Sequence, residues 1–94
     1  MTWGMVRINV KDYEQWKPEF DGFAALRREF GSKGGFVFRD VDDPNRVTVI
    51  LEYPDADSFR RIVQDPRMAE AQRRGGVIPR PEVAILEEAD RPLI

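Results

Sequence analysis

The sequence predicts an α+β domain of the ferredoxin-like type: βαββαβ, with a four-stranded antiparallel sheet and both helical regions on one face. Three observations predict it. Strand-like alternation of apolar and polar residues occurs at Trp3–Val10, Phe36–Asp40, Arg46–Tyr53 and Glu82–Glu88. Helical periodicity fills the long intervals after the first and third of these strands. The link Val41-Asp42-Asp43-Pro44-Asn45 is a short acidic turn, so the second and third strands form an antiparallel hairpin.

The elements follow in order. In WGMVRINV, Val6, Ile8 and Val10 make one apolar face, while Trp3, Met5, Arg7 and Asn9 make an amphipathic one. Asp12 can cap the helical stretch DYEQWKPEFDGFAALRREF, and Asp12 and Glu14 suit its positive end. At 100° per residue, Tyr13, Trp16, Phe20, Phe23 and Phe30 fall within about a third of the circumference, with Arg27 in the same arc. Pro18 places the main helix start just before it, after a lead-in turn, or kinks the helix. Gly31 suits a left-handed C-terminal cap. Gly34-Gly35 opens the second strand, and RVTVILEY is the clearest strand of the chain. Asp55 can cap the second helical region, whose apolar face is Phe59, Ile62 and Val63. Asp65-Pro66 interrupts it and starts a shorter helix over Pro66–Arg74, ended by Gly75-Gly76. Pro79 and Pro81 bracket a rigid approach to the last strand, and Asp90–Ile94 is a tail able to reach a partner.

Composition limits the function classes. Residues 1–94 make one domain, near the small end of what builds its own core. The net charge of −2 and the lack of an RNP-like aromatic and basic pattern argue against nucleic acid. No cysteine is present, so disulfide and thiolate chemistry are excluded. No histidine is present either, which removes the commonest general base, metal ligand and haem ligand. The acidic residues Asp40, Asp42 and Asp43 read as turn residues rather than cation ligands, so neither metal nor cofactor is expected. The expectation is a cytoplasmic protein without a membrane span or signal segment.

Two helices cover one face of such a sheet, yet the strands are apolar on both faces. Trp3 and Met5 oppose Val6 and Ile8, Ile50 opposes Val49 and Leu51, and Leu86 opposes Ile85. A second cover is needed, and a second copy of the chain supplies it as a twofold homodimer.

These residues carry a family likeness. VRINVKDYEQWKPEFDGFAALRREFG, GGFVFRDVDDPNRVTVILEY, DPRMAEAQRRGGV and PEVAILEE together resemble the dimeric α+β barrel superfamily, over about Met5 to Glu88. Within it the chain resembles the small antibiotic-biosynthesis-monooxygenase-like and cyclase-like proteins. The resemblance implies a pocket between sheet and helices for a hydrophobic aromatic or polyketide-like small molecule, worked on without a cofactor. The monooxygenase branch uses a first-strand asparagine, a tryptophan and often a histidine; Asn9 is the residue that matches the asparagine. Trp3 and Trp16 both lie in the first sixteen residues rather than on the second helical region, and the histidine is absent, which argues against haem degradation. Catalysis therefore stays open beside a non-catalytic binding or structural homodimer.

The candidate site residues follow from side-chain chemistry. Arg27 on the aromatic stripe can hold a carboxylate or enolate oxygen, or else pack its stem and pair with an acid such as Glu52. Tyr53 is the acid/base candidate, and as a base it needs a lowered pKa with an arginine beside it. Arg7 and Asn9 share a strand face and suit a carbonyl or phenol, or a dimer interface. Trp16, Phe20, Phe36 and Phe38 can wall an aromatic site, or serve as core.

Overall fold

The computed structural model describes residues 2–94. Its elements are β1 (Thr2–Val10), α1 (Tyr13–Gly22), α2 (Ala24–Glu29), β2 (Gly34–Arg39), β3 (Arg46–Tyr53), α3 (Ala56–Gln64), α4 (Pro66–Arg74) and β4 (Val77–Glu87). The strands form one antiparallel sheet in the order β2-β3-β1-β4, the ferredoxin-like arrangement.

The register assigns the faces. Val6 lies opposite Val49 on β3 and Val83 on β4, Ile8 lies opposite Val47, and Val37 lies opposite Val49. These residues share the face beneath the helices. Ile8, Val10, Val47 and Val49 are buried there with Trp16 of α1. A second cluster joins Leu26, Tyr53, Phe59 and Ile62, packed from α2, β3 and α3. Burial of a side chain as large as Trp16 stabilises such a domain by about 3–5 kcal/mol relative to alanine. Trp3, Met5, Phe36, Phe38 and Ile50 point to the opposite face, where Phe36 and Phe38 remain about half exposed (54% and 52%).

Local chemistry sets the helix ends. Asp12, Asp55 and Asp65 each cap a helix, accepting hydrogen bonds from the backbone N–H groups of Glu14, Ser58 and Arg67. Gly31 has φ of +86°, and the amides of Gly31 and Ser32 bond back to the carbonyls of Arg28 and Arg27, a Schellman ending.

Three elements differ from the sequence expectation. Pro18 sits inside α1 rather than in the first turn of the main helix, and the break falls instead at Phe23 (φ −99°, ψ 15°). The stripe therefore divides: Tyr13, Trp16 and Phe20 pack on the first cluster, whereas Phe23 and Phe30 pack on the second. β4 begins at Val77, not Glu82, and runs through Pro79 and Pro81. An edge strand tolerates prolines because one row of its N–H groups has no ladder partner. β2 begins at Gly34 and ends at Arg39. Among the described residues, no helix is long and apolar enough to cross a membrane.

Candidate functional site

α1, α2, α3 and α4 do not close fully on the sheet. Between them lies a cavity of about 90 Å³, its floor made by Gly4, Val6 and Val49. The walls are Trp16, Phe20 and Phe23 on one side and Phe59, Ile62 and Met68 on the other. The floor is shaped by Gly4, since a Cβ there would lie 2.2 Å from the Phe59 ring, so Phe59 rests directly on the β1 backbone.

Among the described residues, three polar side chains line this cavity: Arg27, Tyr53 and Gln72. The break at Phe23 positions Arg27. It leaves the Phe20 carbonyl at a helix end, where a cation is favoured. Nη1 of Arg27 donates to that carbonyl at 2.7 Å, and the guanidinium lies 3.9 Å from the centroid of the Phe20 ring. Burial pulls the Arg27 pKa below its ordinary value, while Tyr53 and Asp21 oppose the shift. It does not pair with Glu52, because Glu52 lies opposite Trp3 on the other face of the sheet.

Tyr53 is buried with Phe59, ring centroids 5.3 Å apart. Burial pushes its hydroxyl above the ordinary tyrosine value, against the pull of the Arg27 charge and of Ser32. The arginine neighbour needed for a base is present, yet desolvation outweighs it. At neutral pH Tyr53 is a hydrogen-bond donor, not a phenolate.

Trp16, Phe20, Arg27 and Tyr53 thus meet around one cavity. Arg7, Asn9, Phe36 and Phe38 do not; they lie on the opposite face. Arg7 binds both carboxylate oxygens of Asp40 (3.1 and 3.0 Å), and Arg46 joins Asp40 to Asn9. Trp3, Phe36 and Phe38 stack in a row, with centroids 6.3 and 5.6 Å apart. Of the hairpin acids, Asp40 is held by these pairs, and Asp43 accepts from the Asn45 amide in the turn. Sequence reasoning missed Met68, Ala71 and Gln72 as lining residues of α4. Their i, i+3, i+4 spacing is the signal, and it is faint because the rest of the helix is charged.

No protein-family model matches the sequence, and no curated protein does. Solved structures do match. An assigned antibiotic biosynthesis monooxygenase from Bordetella bronchiseptica superposes with a TM-score of 0.79 at 15% identity, over 94% of this chain and 96% of that one. SnoaB, a cofactor-independent oxygenase from Streptomyces nogalater, superposes with a TM-score of 0.76 at 20% identity, over 98% and 95%. An assigned antibiotic biosynthesis monooxygenase from Deinococcus radiodurans gives 0.70 at 13% identity, over 100% and 98%. The chain shares the fold of these solved structures.

Proposed function

We propose that this is a monooxygenase-type protein that takes a hydrophobic, aromatic or polyketide-like small molecule into the cavity between sheet and helices. The observation that carries the reading is Arg27, among the described residues the one charged side chain lining a largely apolar, aromatic-walled cavity. A fixed cation in such surroundings stabilises charge developing on a ligand oxygen far better than it would in water. Tyr53 donates a second hydrogen bond, and Trp16 and Phe20 flank a planar ring. The fold shared with a cofactor-independent oxygenase supports the oxygenase direction.

A second reading is a non-catalytic binding dimer. It is favoured by one specific observation: among the described residues, no side chain lining the cavity is a base at neutral pH, with Tyr53 held neutral and Asn9 on the far face. Oxygen uptake with a model anthrone separates the two. The first reading expects turnover that falls at least about tenfold in Arg27→Ala, a loss of some 1.4 kcal/mol. Ligand-induced thermal stabilisation without turnover supports the second. Turnover undiminished by Arg27→Ala removes this site from the chemistry.

A further inference from the structure

The cavity is narrow and singly charged, and both properties restrict what fits. Its volume of about 90 Å³ is well below the roughly 300 Å³ or more of pockets that take drug-sized ligands. An apolar cavity of ~150 Å³ holds one benzene ring, so a single ring is the upper limit here and enters only where the wall can give way. The floor cannot deepen, because Phe59 already lies on the Gly4 backbone. The other wall is held by Trp16, which is buried and packed against Phe20 with centroids 4.9 Å apart. Adaptable volume is confined to the α4 side, where Met68 and Gln72 line the cavity.

Charge makes a second, independent restriction. Among the described residues, no acidic side chain lines the cavity. Asp21, the acid whose charge reaches Arg27, is already engaged by Lys17 at 2.7 and 2.9 Å. Arg27 makes one hydrogen bond among the described residues, to a neutral carbonyl, so most of its five N–H donors have no protein acceptor. The remaining donors of this half-buried guanidinium are open to a ligand, and a planar carboxylate can take two of them at once.

We infer that the site selects a compact monoanion built on a single aromatic ring, a benzoate- or phenolate-type molecule, over multi-ring polyketide ligands. The inference rests on the proposal that this cavity is the ligand site and narrows the ligand it takes. Arg27 pairs with the anionic oxygen, Tyr53 and Gln72 offer neutral hydrogen bonds, and Phe20, Phe23 and Phe59 contact the ring.

Calorimetric titration and thermal shift with four probes test it: benzoate, benzyl alcohol, benzylammonium and the three-ring anion anthracene-9-carboxylate. The expected result is saturable binding of benzoate, with benzyl alcohol and anthracene-9-carboxylate each at least about tenfold weaker and benzylammonium inert. Arg27→Met is expected to weaken benzoate by about tenfold or more and benzyl alcohol by much less, with Arg27→Lys intermediate for benzoate. If Arg27→Met does not fold, the comparison of benzoate with benzyl alcohol on the unaltered protein still decides the matter of charge. Equal binding of benzyl alcohol and benzoate overturns the inference, as does anthracene-9-carboxylate binding as tightly as benzoate; both leave the cavity standing as a ligand site. Failure of all four probes, with anthrones also failing to bind, overturns the inference and the proposed function together.

Discussion

Arg27 and Tyr53 show how burial and charge compete at a single pair of residues. Each is a neighbour that favours the charged form of the other, yet desolvation decides both shifts, lowering the arginine and raising the tyrosine. The Tyr53 shift has a consequence for stability. Between the ordinary tyrosine pKa near 10 and its raised folded value, the folded protein keeps a phenol proton that the unfolded chain has lost. The unfolded state then binds fewer protons, so stability falls as pH rises through that window, while the contribution is fully present below pH 10. Tyr53→Phe removes the group that titrates. Urea denaturation at pH 8 and at pH 11 is expected to show a smaller alkaline loss of stability in Tyr53→Phe than in the unaltered chain. An equal loss in both proteins would place the alkaline sensitivity elsewhere.

At the scale of elements, the contact between α3 and β1 carries much of the cavity. Gly4 has no side chain, and Phe59 occupies the space that one would fill. In Gly4→Ala the new methyl would lie 2.2 Å from the ring, so Phe59 or the whole of α3 must move. Overpacking of this kind typically costs about 1–3 kcal/mol. For a domain of this size that lowers the melting temperature by roughly 4–8 °C per kcal/mol. Calorimetry would check it, and an unchanged melting temperature would mean that α3 is not seated on β1 as described. This contact was not legible in the sequence, where Gly4 is a weak point in an otherwise regular strand pattern. β3 was legible to the residue at Arg46–Tyr53, because alternation and β-branched side chains agree there. α4 was also legible, from Asp65-Pro66 at its start and Gly75-Gly76 at its end. The break at Phe23 was not, because the 100° period runs through it unchanged and only the packing of Leu26 against Tyr53, Phe59 and Ile62 reorients the chain. The site was half legible for the same reason. Helix periodicity placed Trp16, Phe20 and Arg27 on one arc, but pocket membership for Phe36 and Phe38 depends on which strand face is covered, and that is set by β2–β3 register.

At the scale of the molecule, the face away from the helices poses the remaining question. Trp3, Phe36 and Phe38 stack in a row across β1 and β2, with Ile50 on β3 between them in the register and Leu86 of β4 41% exposed beyond Trp3. Arg7, Asp40, Arg46 and Asn9 engage one another on this face, while Glu52 and Thr48 flank the row opposite Trp3 and Phe38. An exposed row of stacked aromatic rings is uncommon on a monomer unless something docks on it. We propose that a second copy covers it, sheet against sheet about a twofold axis, since a self-complementary face satisfies both subunits with one interface. Sedimentation of the unaltered chain at micromolar concentration is then expected to show a dimer. Phe38→Glu puts a carboxylate into the aromatic row that such an interface would cover. Burying this unpaired charge in each subunit is expected to weaken association by well over tenfold. The helices and the cavity lie on the other side of the sheet, so Phe38→Glu should keep its far-ultraviolet circular dichroism and its ligand affinity while sedimenting as a monomer. A monomeric unaltered chain, or a Phe38→Glu dimer as tight as the original, would rule out this face as the point of contact.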